Sequence, residues 1–355
     1  MQLLNNLLLR GGFQDYFGFP SSVNRENLYT TFPADTSYMF QNCVFQNVSH
    51  TSIRFSINTE VYLLVESCMF AYCFSGFKGG AICFECGEMG SAVYSRNCGF
   101  YCGTYRGNSD WYCGQFIYSS AKNEGLHYYL QCSISKCGPN FLESRVHSSS
   151  FYNGRQRVSL NNFSFCECRD ICGLSLDYSR NCEMNMTTFV SNMAQRYHCM
   201  QILNRYVSLN FNISFCNYVK NTDSVEGSTI YAHGAVLIRD SIFLDNGPYL
   251  FSNGAGTLTA TRNYVKHIGA QINPTKTSTL SFSLFKNTDV TTNTLQIDHY
   301  ATYYCDNYGN MVLPDRTFPP EPTSCDTFHT ATNEGIKLLS IFHLMTNCLV
   351  MVFLN

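Results

Sequence analysis

Asp223, Glu226, His233 and Asp240 crowd into one short stretch of this 355-residue chain. Two carboxyls held about 6.5–9.5 Å apart around a water do the acid–base work of an inverting glycoside hydrolase. Asp223, Glu226 and Asp240 are the residues from which such a pair would be drawn, and His233 would carry a proton near neutral pH. A second cluster, Tyr105, Arg106, Trp111 (the only tryptophan) and Tyr112, has the aromatic and guanidinium chemistry of a protein or glycan contact. Cys83-Phe-Glu-Cys86 and Cys166-Glu-Cys168 with Cys172 have the spacing of zinc ligands, but about 80 residues separate them. In so cysteine-rich a chain, disulfides or stacked thiols are the expected role, and no metal or cofactor is expected. Four N-glycosylation sequons begin at Asn47, Asn162, Asn185 and Asn212. Asn162 and Asn212 fall on the outward parity of their strands, which a glycan needs.

Charged residues make up 14% of the chain and the formal net charge is −2, with no basic stripe, so nucleic acid is not an expected partner. Of 19 cysteines, all but Cys305, Cys325 and Cys348 lie between Cys43 and Cys216. Residues at stacked positions lie roughly 4.8 Å apart, whereas a disulfide draws its Cβ atoms to about 3.8 Å. A mixture of disulfides and buried, stacked thiols is therefore expected.

These residues ride on a repeat: an apolar-x-Phe element followed two or three residues later by Asn or Cys. Its anchors are Phe45, Phe70, Phe100, Ile134, Phe165, Phe189, Phe215, Phe243, Val265 and Phe285, in steps of 20 to 34 residues. Period-two alternation makes each copy a strand with one inward face. A drifting period in the twenties predicts an all-β, right-handed parallel β-helix solenoid of about ten rungs, in which no rung buries its Phe alone. The Asn or Cys after each anchor is expected to form a ladder at the turn. Residues 1–35 read as an N-terminal cap, 36–300 as the solenoid, 301–335 as a proline-rich stalk stapled at its base by Cys305 and Cys325, and 336–355 as an apolar helix, a candidate membrane span. Met1 to Arg10 makes a poor secretory signal.

The Phe-x-x-Asn pieces (Phe189 to Asn192, Phe243 to Asn246) and Gly79-Gly80-Ala81-Ile82 resemble the repeats of chlamydial polymorphic outer-membrane proteins. The abundance of Cys and Asn, the proline stalk and the apolar end resemble the β-helix surface proteins of trichomonad protists. That resemblance implies a pectate-lyase-like scaffold and an adhesive or antigenic ectodomain outside the plasma membrane. It also implies attachment through the C-terminal segment and, as partner, a host or neighbouring cell-surface protein or glycan. Asn221-Thr222-Asp223 followed by His233-Gly234 is similar to part of the polygalacturonase pattern, but the paired Asp and the Arg-x-Lys of that pattern are missing. The expected function is thus non-catalytic binding. The alternatives are a carbohydrate-active enzyme on the same scaffold and a purely structural surface coat.

Overall fold

The computed structural model describes residues 13–17, 23–24, 37–266 (apart from 77, 88, 105–112, 123–124, 139–145, 179–180, 204–210, 223–226 and 248), 279–286, 304–305 and 311–312. The fold is an all-β parallel solenoid of about six turns with three separate strands each. Beyond them a corner is lost, and the third strand of one coil runs on into the first strand of the next, as Ser228–Arg239 and Phe251–Lys266.

Each ladder is parallel. The first runs from Ser37–Gln41 through Tyr62–Glu66, Ser91–Ser95 and Leu126–Leu130, and onward to Thr279–Lys286. The second starts at Val44–Gln46 and Met69–Ala71, and the third at Ile53–Ile57 and Ile82–Cys86. In the second ladder the inward residues are Phe45, Phe70, Gly99, Ile134, Phe163, Phe189, Tyr218, Phe243 and Val265. Rings of Phe163, Phe189, Tyr218 and Phe243 stack face to face at 5.0, 5.0 and 4.8 Å, the rise of one coil. Each such pair adds about 0.5–1.5 kcal/mol beyond burial of its area. At Gly99 the column lacks a side chain, and Phe116 fills the slot from a bulge in the third ladder. A Cβ on Gly99 would lie 2.6 Å from the Phe116 ring.

Of the expected anchors up to Val265, three are therefore one to three residues off: Gly99 rather than Phe100, Phe163 rather than Phe165, and Tyr218 rather than Phe215 point inward; Phe285 is registered with the corner residue Asn263. The cause is a left-handed residue at each of two corners, which resets the alternation. Phe165 (φ 54) and Phe215 (φ 56) are themselves such corner residues. For a residue with a Cβ this conformation costs about 1–2 kcal/mol. The corner N–H offsets it by bonding the next coil, as Phe165 does to Val190 O at 3.0 Å.

With the register corrected, one corner residue always stands two positions before the inward residue and another three after it. The later column runs Cys73, Cys102, Cys137, Cys166, Asn192, Asn221, Asn246. Among the described residues fourteen cysteines, these four included, are free thiols; Cys98 is disulfide-bonded.

The helix Phe13–Phe17 lies on the flank of the first ladder, with Phe13 packed among Leu64 and Val93. Val23–Asn24 pairs with Tyr38–Met39 and so covers the open edge of the first coil. Within the expected stalk, Tyr304–Cys305 pairs with Met311–Val312, and this hairpin folds back on the strands Cys98–Phe100 and Ser133–Ser135. Among the described residues no helix is long and apolar enough to cross a membrane, and 336–355 lie outside them.

Candidate functional site

Of the proposed acid–base residues, Asp223 and Glu226 lie outside the described residues, as do all of Tyr105, Arg106, Trp111 and Tyr112. His233 and Asp240 are described, and the fold does not bring them together. His233 sits in the third ladder opposite Leu203. Asp240 is a left-handed corner residue beyond the first ladder (φ 52). Its carboxylate accepts two bonds from Arg262, at 2.8 and 2.6 Å, and Arg262 holds the same corner one coil on. Asp240 thus closes an ion pair along the rod's edge.

The cysteine motifs separate in the same way. Cys83 is registered with outward Tyr118, whereas Cys86 is registered with inward Ala121. Among the described residues no group of three or more His, Cys, Asp or Glu side chains is placed to hold a metal ion. The sequons divide: Asn47 and Asn212 are exposed, while Asn162 and Asn185 are 7% exposed. Asn162 does face outward, opposite Thr188, as its parity requires. It is buried because the outer face of the second ladder is covered.

Inside the rod, Tyr94 OH, Ser119 Oγ and His127 Nδ1 form a chain with 2.9 Å links. Burial lowers the His127 pKa to about 3, so the imidazole is neutral and sealed from substrate. His198 Nδ1 lies 3.0 Å from Ser228 Oγ, a hydroxyl–imidazole contact that resembles a nucleophile and its base. The backbone N–H of Ser228 already donates to that nitrogen at 3.1 Å, and Ser228 Oγ donates to Ile230 O at 3.0 Å. Burial lowers the His198 pKa to about 4. The pair therefore organises the backbone and is not poised for attack.

What remains is the outer face of the third ladder. Ser175 and Gln201 are registered on adjoining coils, and Gln201 with Tyr231 on the next. In the neighbouring row, Tyr152 stands opposite Asp177. Buried Asp177 accepts from Ser175 Oγ at 3.0 Å and from Gln201 Nε2 at 3.3 Å, which fixes the amide. Tyr231 stacks on His198 at 4.8 Å, and Tyr152 packs on Tyr178 at 4.8 Å. Lys78 pairs with Glu85 at 3.1 Å and lies 4.9 Å over the Tyr118 ring. Half-buried aromatic faces and oriented amides at coil spacing suit contact with a sugar chain or a protein strand. The sequence carries this row only as residues about one repeat apart. A register shift between Ile171 and Leu174 hides it from counting.

No family model matches the chain, and no curated protein or solved structure matches it either.

Proposed function

We propose that this chain is a non-catalytic β-solenoid ectodomain of a cell surface, which binds a glycan or a neighbouring surface protein along the outer face of its third ladder. The observation that carries the reading is two adjoining rows, Gln201 with Tyr231 and Tyr152 with His233. All four are partly exposed on one face, and Gln201 is fixed by buried Asp177. Support for the non-catalytic part is that no registered strand pair among the described residues sets two carboxylates opposite each other. The one described carboxylate of the expected set, Asp240, is engaged by Arg262. Support for a secretory route is that Asn47 and Asn212 are exposed sequons. Attachment through 336–355 belongs to the same proposal.

The test is binding of the secreted full-length chain to a glycan array and to intact cells, beside the double variant Gln201→Ala/Tyr231→Ala. A loss of tenfold or more in affinity with an unchanged thermal melt is the expected result. Equal binding by both proteins removes the site from this face. Glycosidase treatment should shift the wild-type chain, and Asn47→Gln/Asn212→Gln should abolish that shift. An unglycosylated chain that leaves alkali-washed membranes would end the surface reading.

A further inference from the structure

Cys98 opens the second-ladder strand Cys98–Phe100, opposite Met69 and Ser133, with Gly99 rather than Cys98 on the inward column. It faces out of the rod, is 2% exposed, and is disulfide-bonded. Its partner is not one of the fourteen free thiols, which leaves Cys113, Cys305, Cys325 and Cys348. Cys325 and Cys348 lie outside the described residues. Cys113 begins the strand Cys113–Ala121 of the third ladder, opposite Val146 and around a corner from the second ladder. By contrast, the backbone of Tyr304–Cys305 packs against Cys98–Phe100 and Ser133–Ser135. Ser133, Ser135, Asn162 and Ser164 also face outward there, and all are buried.

We infer that Cys98 is bonded to Cys305, and that this bond latches the C-terminal hairpin as a strap across the second ladder. The inference is independent of the binding face on the third ladder. It turns the expected stalk into a segment tied to the flank of the rod. Two thiols give up two protons and two electrons to form the bond, and a disulfide oxidant such as oxidised glutathione accepts them and leaves as two thiols. Fourteen other cysteines among the described residues are free thiols in the same fold. The Cys98 bond is therefore the place where a change of redox potential acts on the rod without dismantling its coils.

Peptide mapping of the secreted full-length chain tests the pairing. The chain is alkylated with N-ethylmaleimide under denaturing, non-reducing conditions and cut with trypsin. Cys98 then lies in peptide 97–106, Cys113 in 107–122 and Cys305 in 287–316. A 97–106 to 287–316 conjugate that separates on reduction is the expected product, with Cys102 carrying the label. A 97–106 to 107–122 conjugate, any other partner, or labelled Cys98 overturns the inference. Amide exchange on Cys98→Ser and Cys305→Ser tests the strap. Exchange at 133–135 should rise tenfold or more in both variants, while 188–190 keeps the wild-type rate. Unchanged exchange at 133–135 would leave a bond without a strap and overturn that half.

Discussion

One corner column is built in two ways. After Val48 in the first coil it is cysteine for four coils (Cys73, Cys102, Cys137, Cys166), and through the next three it is asparagine (Asn192, Asn221, Asn246). Both halves do the same work on the backbone. Cys102 Sγ donates to Phe70 O at 3.5 Å, and Asn221 Nδ2 donates to Phe189 O at 2.9 Å. In each case the acceptor is the inward residue of the preceding coil. The N–H of Cys102 is accepted by Cys137 Sγ at 3.4 Å, and that of Asn192 by Asn221 Oδ1 at 3.1 Å. The amides also bond one another, Asn192 to Asn221 at 2.9 Å and Asn221 to Asn246 at 3.0 Å, whereas a thiol has only one weak donor. The cysteine half is thus cheap to desolvate and weakly cross-linked, while the asparagine half is costlier to bury and tightly cross-linked. In the other corner column, burial raises the Cys132 and Cys216 thiols to about 12, so those two stay protonated.

Acid should break the comparison most strongly. Burial holds His127 and His147 near pKa 3 and His198 near 4. Unfolded, each takes up a proton near pH 6.5. Unfolding therefore binds protons, and stability falls as pH drops from 7 toward 4. At pH 5 the combined loss is of the order of 6 kcal/mol, from three groups at about 1.4 kcal/mol per pH unit. His127 and His147 lie in the cysteine half, so amide exchange should rise there before it rises around Asn221. Urea midpoints that hold flat from pH 7 to 5 would refute this.

Asn221→Ala comes next, because it orphans the Asn192 N–H, the Phe189 carbonyl and an Asn246 bond. A loss of about 3–5 kcal/mol in urea unfolding is expected. Cys137→Ala, at the same corner two coils before the first amide cross-link at Asn192, should cost only about 1–2 kcal/mol. Equal losses at the two positions would erase the distinction between the halves. Smallest is Cys132→Ser in the other corner column, at under about 1 kcal/mol. There Ser241 Oγ already accepts the Cys216 N–H at 3.1 Å and donates to Arg239 O at 2.9 Å, so a hydroxyl can replace the thiol. A loss above 2 kcal/mol would show that sulfur packing, not hydrogen bonding, is what that corner needs.

Much of this was legible in the residues. Phe45, Phe70, Ile134, Phe189, Phe243 and Val265 sit inward where the repeat puts them, and Asn192 and Asn246 form the ladder expected after an anchor. Phe165 and Phe215 misled because a left-handed corner with an ordinary side chain leaves no glycine to mark it. Asn162 was read correctly for parity but not for exposure, since parity along a strand says nothing of what lies outside it. The partner of Asp240 was hidden for a related reason: Arg262 is one coil away, 22 residues on.

By itself, then, the sequence determined the repeating strand, the parallel stack and the residue classes of the corners. Those follow from period-two burial and turn chemistry, which act within about a dozen residues. Only the tertiary structure decided which aromatic of a close pair enters the core, that Phe116 fills the gap above Gly99, and that the hairpin at Tyr304 lies on the flank of the rod. Those depend on register between coils, and register is set by bulges and corners summed over the whole stack rather than by any one repeat.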